Sequence, residues 1–364
     1  MKKIRILYTI PNFNTAGSGK VLYDLAKGLD SERFEVSIAC NHNRGELFER
    51  VNALGLPIHL INSTVPLRPY HSFFSRIGNF KKFIKANEFN IVHSWHWSSD
   101  WTEALAVRLL GVKWLYTKKA MGFNNKHWVI RSYLANFIIT INDEMQAYFP
   151  NKRQQALIPL GIDTGHYNCE LFEAEASVDT NKFHIITVAN LVPVKGIEVL
   201  IEAVHKLKDT TVTLTIVGDY DNEYGQTLVA LRDRLDMQEQ VQFLGKQLDV
   251  RPYIAAADLY VIPTLDEGRK EGMPMALVES MCMSIIVLGS NITGINFVLK
   301  DFDNLLFEPG STEALALKIE AIQILSVQDK IKLGASLRDY CVKHFSLQTF
   351  IEAHETLYLE LAKV

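Results

Sequence analysis

The sequence predicts an α/β protein made of two doubly wound, Rossmann-like parallel sheets that face a central cleft. Short apolar runs rich in β-branched residues alternate with helical patterns along the chain, as in parallel sheets that helices cover on both faces. The alternation restarts after a polar, acidic stretch, residues 168–182, which we interpret as a linker. Because ligands of such sheets bind beyond the carboxyl ends of the strands, we expect functional residues in the loops that follow strands.

The domain boundaries follow from this pattern and from the length. A chain of 364 residues with 48% hydrophobic and 22% charged residues is ordinary globular material for about two domains. We place the first domain at residues 1–168 and the second at 169–345, and an apolar-periodic helix follows at Leu347–Leu361.

Each predicted strand is a short apolar run, and helical patterns lie between the strands. In the first domain the strands are Ile4–Ile10, Phe34–Ala39, Ile58–Ile61, Ile91–His93, Trp114–Thr117, Phe137–Ile141 and Ala156–Ile158, with helices at Gly19–Leu29 and Trp101–Leu110. In the second domain the strands are Phe183–Ala189, Thr213–Val217, Val241–Leu244, Leu259–Ile262, Ile285–Leu288 and Leu305–Phe307, with helices at Gly196–Lys206, Tyr224–Leu235 and Met275–Met283.

Composition argues against several classes of protein. The net charge of -3 and a pI of about 6.4 disfavour a nucleic-acid-binding protein. The four cysteines are far apart and form no C-x-x-C pair, so we expect reduced thiols rather than a zinc site or disulfides. The apolar run Ile4–Ile10 is too short for a signal peptide, and no window approaches the roughly 20 apolar residues of a membrane span. We therefore expect a cytoplasmic protein.

A glycine-containing turn follows the first strand. Gly17, Ser18 and Gly19 come directly before the first predicted helix, where exposed amides suit a phosphate or another anion. Asn14 is incompatible with a Walker A loop, and Leu22 stands where a G-x-G-x-x-G motif needs its third glycine. The alternative interpretation is a flexible strand–helix turn.

Two strand ends of the second domain carry polar residues. Asn190 ends the first of these strands, and Lys195 with Gly196 begins the next helix, where a lysine can reach a phosphate as a point charge. Gly218 and Asp219 end the following strand, at a place where a nucleoside could lie. Taken alone, a Lys-Gly pair is more typical of a solvated surface lysine.

The strongest signal is the pair Glu271 and Glu279, eight positions apart. Glu271 lies in a loop, Pro274 suits the first helical position, and Glu279 falls about two helical turns along. Carboxylates roughly 10 Å apart suit a long polyhydroxylated ligand, with one on a hexose, one on a ribose, and a diphosphate between them against helix amides and Lys195. The alternative is a helix start with one Glu for its dipole and a second exposed Glu.

These motifs resemble the retaining glycosyltransferases with two Rossmann-like domains, which have the GT-B fold and form family 4, or group 1. The resemblance spans roughly residues 1–345 and rests mainly on the E-x7-E segment EGMPMALVE, with ADLYVIPT before it and SNITG after it. Weaker support comes from VANLVPVKG, LIPLGID and AGSGKVLYDLAKGL.

The resemblance implies roles for individual residues. Glu279 would bind the donor ribose, and Glu271 with the backbone after it would hold the sugar. Such enzymes need no metal, and their final helix, here residues 346–364, crosses back onto the first domain. The implied substrate-binding residues are Gly17, Ser18, Gly19, Asn190, Gly218, Asp219, Gly245, Gly272, Met273, Pro274, Met275 and Glu279, and the implied catalytic residues are Glu271, Lys195 and His93.

The chain departs from the family pattern around the expected phosphates. Asn190 stands where an arginine on the diphosphate is common, so Lys20, Arg269 or Lys270 is expected to add positive charge. Phe297 replaces a frequent glutamate in the loop after the next strand.

A further departure concerns the catalytic histidine. Lys118 and Lys119 follow the strand after which many members have a histidine. His93 is then the nearest candidate and His96 the second, with a structural role as the alternative for either.

Residues 68–89 predict a basic amphipathic helix. Its apolar face would consist of Phe73, Ile77, Phe80 and Ile84, with basic residues at the borders. Such a helix suits an anionic membrane surface or a lipid-linked acceptor. A helix packed on its own sheet shows the same pattern and is the alternative.

The expected activity is transfer of a hexose or N-acetylhexosamine from a nucleotide-diphosphate sugar, UDP-sugars being favoured, with retention and without a cofactor. The acceptor would be a saccharide or a lipid-linked saccharide in surface-polysaccharide or lipopolysaccharide assembly, which points to the cytoplasm and the inner face of the membrane. The alternatives are a nucleotide-sugar 2-epimerase and a non-catalytic nucleotide-sugar-binding subunit.

Overall fold

The computed structural model describes residues 2–14, 16–123, 125–172, 182–268 and 271–363. Its contacts divide the chain into two compact units. Unit 1 comprises Met1–Gly161 together with Leu347–Val364, and unit 2 comprises Ile162–Ser346. Most of the predicted linker, residues 173–181, lies outside the described residues.

Unit 2 begins at Ile162 rather than at the expected residue 169. The backbone N–H of Ile162 donates to the carbonyl of Phe345 at 2.8 Å, which ties the first residue of the unit to its last helix. Arg338 of the same unit donates to carbonyls within residues 164–167 at 2.9 and 3.2 Å. These residues therefore belong to unit 2 by their hydrogen bonds, which the polar sequence does not reveal.

The sheet of unit 1 has seven parallel strands in the order β3-β2-β1-β4-β5-β6-β7. Its central strands are buried, as parallel strands covered on both faces should be: Ile6, Leu7 and Tyr8 are 0% exposed. The strands are β1 (Ile4–Thr9), β2 (Phe34–Cys40), β3 (Ile58–Leu60), β4 (Ile91–Ser94), β5 (Lys113–Lys118), β6 (Phe137–Thr140) and β7 (Gln155–Leu157).

Six helices lie between or after these strands in the described part of residues 1–161. They are α1 (Ala16–Gly28), α2 (Glu46–Asn52), α3 (Phe73–Ala86), α4 (Thr102–Arg108), α5 (Lys126–Leu134) and α6 (Asp143–Ala147). The predicted amphipathic helix is α3, and its face of Phe73, Ile77, Phe80 and Ile84 is buried in the core. This supports the packed alternative, because the face proposed for a membrane is not available to one.

The sheet of unit 2 has six parallel strands in the order β10-β9-β8-β11-β12-β13. The order reverses between β8 and β11, which creates the switch point where such sheets bind ligands. The strands are β8 (Phe183–Val188), β9 (Val212–Val217), β10 (Val241–Gly245), β11 (Leu259–Ile262), β12 (Ile286–Ser290) and β13 (Leu306–Phe307).

Seven helices complete the described part of unit 2. They are α7 (Ile197–Leu207), α8 (Glu223–Arg234), α9 (Arg251–Ala255), α10 (Met275–Cys282), α11 (Ile295–Val298), α12 (Thr312–Gln323) and α13 (Val327–Phe345). The prediction of two Rossmann-like doubly wound sheets is confirmed, and each predicted strand appears within two residues of its expected bounds.

The last helix, α14 (Leu347–Lys363), belongs to unit 1 and packs against α1, β1 and β4. Its buried side chains are Phe350, Ile351, His354, Leu357 and Tyr358. The Tyr358 hydroxyl lies 3.1 Å from that of Tyr8 and 2.7 Å from Nδ1 of His93, so a buried polar network fixes the helix to the sheet.

Candidate functional site

A cavity of about 360 Å³ lies in unit 2 at the carboxyl ends of β8, β9 and β11, beside the start of α10. It occupies the switch point of the sheet, where strand ends and a helix start meet. Its lining includes eight of the residues predicted from sequence: Asn190, Lys195, Gly218, Asp219, Glu271, Met273, Pro274 and Met275. Eight of the residues predicted from sequence therefore lie around one cavity.

The wall of the cavity is formed by the start of α10. Pro274 precedes the helix with φ -78° and ψ 100°, so the first helical residue is Met275 rather than the proline as predicted. The extended ψ of Pro274 places the proline before the first turn, whereas the predicted bounds of the helix, Met275–Met283, begin where α10 does. Met275 and Ala276 line the cavity, where backbone N–H groups of a first helical turn can meet an anion.

Lys195 and Glu271 meet in this cavity although they are far apart in sequence. Lys195 ends a short 3-10 helix, Pro193–Lys195, that follows β8, and Glu271 lies in the loop before α10. The Lys195 ammonium donates a hydrogen bond to Oε1 of Glu271, and their side chains are 21% and 20% exposed. The two residues predicted to bind different parts of one ligand thus form an ion pair.

The opposite part of the lining contains residues that the sequence analysis missed. Lys246, Gln247 and Val250 follow β10 and line the same cavity as Asp219. Lys246 adds a cation to a site in which Asn190 stands where an arginine was expected. No sequence signal pointed to Lys246, since a single lysine after a strand is typical of a solvated turn.

Glu279 lies in the second turn of α10 and is held by a tyrosine. The hydroxyl of Tyr167 donates to Oε1 of Glu279 at 2.9 Å, and Tyr167 is only 7% exposed. Burial and the nearby Glu279 carboxylate raise the pKa of the tyrosine, which keeps the hydroxyl protonated as a donor. Sequence analysis missed this partner, because 112 positions separate the two residues.

Three of the site residues predicted in unit 2 do not line the cavity itself: Gly245, Gly272 and Glu279. The carbonyl of Gly245 accepts a hydrogen bond from the N–H of Gly218 at 3.0 Å, which joins two neighbouring strand ends. Phe297, which replaces the frequent glutamate, is buried and packs on Phe345 at 6.3 Å between ring centroids. Arg269 and Lys270 lie outside the described residues.

The predicted glycine turn of unit 1 belongs to a helix. Because α1 starts at Ala16, Gly17, Ser18 and Gly19 lie in its first turn rather than before it. A Cβ on Gly19 would stand 2.7 Å from Cδ2 of Leu47, so a neighbouring side chain packs closely on the helix at this glycine. Lys20 pairs with Asp24 within the same helix at 3.6 Å.

His93 is buried and bonded on both ring nitrogens. Nδ1 lies 2.7 Å from the Tyr358 hydroxyl and Nε2 lies 2.8 Å from Oγ1 of Thr117. Burial lowers the pKa of His93 well below its ordinary value. This geometry favours the structural alternative for His93, because the ring is buried and both of its nitrogens are occupied.

The second candidate, His96, is also buried. Its Nε2 lies 3.0 Å from the Ser63 hydroxyl, and burial lowers the pKa of His96 to about 4. Lys119, which follows β5, donates to the carbonyl of Trp95 at 2.6 Å. Burial and the Arg131 charge lower the pKa of Lys119 to about 7.

A buried ionic network lies beneath these residues and was missed by the sequence analysis. Glu103 and Arg131 are both 0% exposed and share the hydroxyl of Ser94, which donates to Glu103 and accepts from Arg131, each at 3.0 Å. Thr9 donates to the same carboxylate at 2.5 Å. Buried charges need such partners, so this network fixes the carboxyl ends of β1 and β4.

Among the residues that the structure describes, no three His, Cys, Asp or Glu side chains are grouped to hold a metal ion. None of the helices in the described ranges has the length and apolar character needed to cross a membrane.

Two family models match the chain one after the other. Residues 15–166 match Glycosyltransferase Family 4, and residues 170–331 match Glycosyl transferases group 1. With two Rossmann-like units and these matches, the chain is a glycosyltransferase of the GT-B fold.

Curated relatives carry the same description. CapH, a capsular polysaccharide biosynthesis glycosyltransferase of Staphylococcus aureus, is 23% identical over 84% of this chain and 86% of its own length. An Escherichia coli UDP-Gal:alpha-D-GlcNAc-diphosphoundecaprenol alpha-1,3-galactosyltransferase is 22% identical over 92% of this chain and 91% of its own.

Solved structures share the fold at low identity. The structure of a glycosyltransferase from Rickettsia africae aligns with this protein over 100% of each chain, with a TM-score of 0.89 at 20% identity. HepE of Anabaena in complex with UDP-glucose covers 97% of this chain and 99% of its own, with a TM-score of 0.78 at 19% identity.

Proposed function

We propose that the cavity of unit 2 binds a nucleotide-diphosphate sugar and that the protein transfers the hexosyl group to a saccharide or lipid-linked acceptor, with retention at the anomeric carbon. The observation that carries the proposal is the meeting of Lys195 and Glu271 at the start of α10, in a cavity of about 360 Å³. That arrangement supplies a cation, helix amides and a carboxylate within one ligand-sized space.

We place the two phosphates of the donor at the start of α10. Backbone N–H groups of its first turn and the Lys195 ammonium both favour negative charge there. Lys246 lines the same cavity and adds the positive charge that Asn190 does not supply. These groups would stabilise the diphosphate as it leaves, which is where charge develops in the reaction.

The two glutamates would bind the uncharged parts of the donor, which are the transferred sugar and the ribose. Glu271 lines the cavity and would accept hydrogen bonds from the sugar hydroxyls, and Glu279 would accept them from the ribose. Arrival of the diphosphate would draw Lys195 away from Glu271 and leave that carboxylate to the sugar. Placing Glu271 on the sugar rather than on the phosphate avoids repulsion between like charges.

We favour a reaction without a covalent intermediate. His93, the residue expected to act from unit 1, is buried, and we assign the Glu271 carboxylate of the cavity to the sugar hydroxyls rather than to attack on the anomeric carbon. In such a reaction the departing phosphate takes the proton from the acceptor hydroxyl, which attacks the same face of the sugar. The protein would then act by positioning both substrates and by excluding water.

The relatives support the substrate classes. The names of the curated relatives include capsular polysaccharide biosynthesis and a UDP-Gal donor with a diphosphoundecaprenol-linked acceptor, and HepE was solved with UDP-glucose. We therefore propose a UDP-sugar as donor and a role in surface-polysaccharide or lipopolysaccharide assembly, at the cytoplasmic face of the membrane and with no cofactor.

A non-catalytic nucleotide-sugar-binding subunit is the second candidate. Two observations favour it, namely Asn190 in place of an arginine and the buried ring of His93. Binding of a donor without turnover across a panel of acceptors would support this candidate over an enzyme. Conversion of the donor without any acceptor would instead indicate the 2-epimerase.

A thermal-shift and calorimetric screen of UDP-, GDP- and ADP-sugars tests the donor site. A donor at about 100 times its Kd should stabilise the protein by about 2.7 kcal/mol. The Glu279→Ala substitution should weaken donor binding about 10- to 150-fold, as expected for lost hydrogen bonds to a charged group. Lys195→Ala should do likewise.

The matched control is Lys206→Ala, which removes a lysine paired with Glu313 outside the cavity lining. It should leave donor binding unchanged. Unaltered binding by both the Glu279→Ala and the Lys195→Ala proteins would show that the donor site lies elsewhere.

A further inference from the structure

Tyr167 contacts one of the two glutamates of the proposed donor site. Its hydroxyl donates to Oε1 of Glu279 at 2.9 Å, and the tyrosine is 7% exposed. Both residues lie in unit 2. A buried phenol needs a hydrogen-bond partner, so the contact constrains both side chains.

The backbone that carries Tyr167 is fixed by two arginines. Arg338 of α13 donates to the carbonyl of Tyr167 at 2.9 Å, and it also donates to the carbonyl of Cys282, the last residue of α10. Arg251 of α9 donates to the carbonyl of His166 at 3.2 Å. The segment before the tyrosine is thereby joined to the same helix that carries Glu279.

This arrangement restricts the side chain of Glu279, which is partly buried. Fixing the rotamers of a glutamate on ligand binding costs conformational entropy. A phenol held by a fixed backbone selects one orientation of the Glu279 carboxylate before the ligand arrives. The rise in the pKa of Tyr167 caused by burial and by Glu279 keeps its hydroxyl protonated, so this holds at neutral pH.

We infer that Tyr167 is a positioning residue that presets the Glu279 carboxylate for the hydroxyls of the donor ribose. The inference rests on the proposed function and deepens it by adding a residue that does not itself touch the donor. It gives a role to the hydrogen bonds that join the segment after Gly161 to α10 and α13, because they hold the hydroxyl of Tyr167 beside the carboxylate of Glu279.

The test is titration of UDP into the wild-type, Tyr167→Phe, Glu279→Ala and doubly substituted proteins by calorimetry. Phenylalanine keeps the ring and removes only the donor group. We expect the Kd for UDP to rise about three- to tenfold in Tyr167→Phe, in line with the loss of one hydrogen bond. In steady-state transfer, KM for the donor should rise by a similar factor while kcat at saturation changes little.

The double substitution separates positioning from a general structural role. If the tyrosine acts through Glu279, then Tyr167→Phe should have no further effect in the Glu279→Ala protein. The control Tyr224→Phe removes another tyrosine hydroxyl that donates to a glutamate, Glu198, outside the cavity lining, and it should leave the Kd for UDP unchanged.

Two results would overturn the inference. An unchanged Kd for UDP in Tyr167→Phe, or the same rise in Kd with and without Glu279, would leave the tyrosine with a packing role only. If the wild-type protein bound neither UDP nor any UDP-sugar, the proposed function itself would fail, and this outcome is distinct because it precedes any substitution.

Discussion

At the scale of single residues, the contact between Lys195 and Glu271 governs how the proposed site receives its ligand. The two side chains form an ion pair at about one-fifth exposure. Water and salt screen such a pair only in part, so the pair competes with an incoming diphosphate for the same ammonium. The carboxylate thus opposes binding of the nucleotide and, once displaced, is available to the sugar.

Replacement of Glu271 by Gln should separate these two effects. The amide no longer competes for Lys195, so UDP without a sugar should bind about two- to fivefold more tightly. Transfer of the sugar should fall, because the carboxylate that accepts its hydroxyls is gone. Calorimetry with UDP and a transfer assay with the UDP-sugar give the two readings.

The control for this prediction is Glu313→Gln, which removes the carboxylate of the ion pair with Lys206 outside the cavity lining. It should change neither reading. Weaker binding of UDP by the Glu271→Gln protein would contradict the competition described here.

At the scale of elements, the loop after β12 supports the loop that carries Glu271. Gly294 has φ 86°, and a Cβ at this position would stand 2.4 Å from the backbone oxygen of Glu271. The two loops therefore touch through their backbones, and a glycine is required both by the dihedral angle and by the space.

The Gly294→Ala substitution should move the Glu271 loop. We expect sugar transfer to fall at least about tenfold, since a shift of 1 Å in a positioning group can cost more than that. Strain from the positive φ, together with the close contact with the Glu271 backbone, should also lower the Tm by several degrees. A transfer assay and a thermal melt measure the two effects.

Gly268 offers a matched comparison, because it has φ 57° and nothing lies within 4 Å of its built Cβ. The Gly268→Ala protein should lose less in Tm than the Gly294→Ala protein, because its Cβ meets no neighbour, and it should keep its activity. Equal activity of the two alanine proteins would show that the contact with the Glu271 backbone does not matter.

At the scale of elements, the strands and most of the cavity lining could be predicted from the sequence, and other features could not. Buried parallel strands are continuous apolar runs, so their bounds were accessible from the pattern. The residues that line the cavity could be predicted from the strand ends, because the strand order of a doubly wound sheet brings those ends together. Lys246 and Tyr167 were not accessible, because their importance depends on neighbours brought close by the fold. Helix α13 was not predicted from sequence either, because charged residues interrupt its apolar pattern.

At the scale of the whole molecule, unit 1 contains several buried neutral histidines. His354 is 0% exposed, and burial lowers its pKa to about 4, as it does for His96. In the unfolded chain these rings take up a proton below about pH 6.5. The contribution of these neutral rings to the free energy of unfolding is therefore fully present above about pH 6.5, and it is lost as the pH falls toward 4.

Acidification should thus destabilise unit 1. Between pH 7 and pH 5 each of these histidines should lower the free energy of unfolding by about 2 kcal/mol. All five tryptophans lie between residues 95 and 128, so tryptophan fluorescence during urea unfolding reports on unit 1. The His354→Leu protein should lose less stability over this interval than the wild type.

The comparison with His354→Leu isolates one ring from the carboxylates that also titrate in acid. If both proteins lost the same free energy between pH 7 and pH 5, His354 would not be the buried neutral group that the structure describes. His205, in the last turn of α7 in unit 2, offers a control position at which Leu should leave the fluorescence transition unchanged.

The placement of α14 also bears on how the protein is made. A ribosome completes residues 162–346 before it releases the final helix, so the second unit can fold while the first still lacks a piece. Until then Tyr8 and His93 have no Tyr358 to bond. Until α14 is released, the first unit would lack the helix that packs on β1 and β4, and the core side chains that this helix covers would stay exposed while residues 162–346 are synthesised.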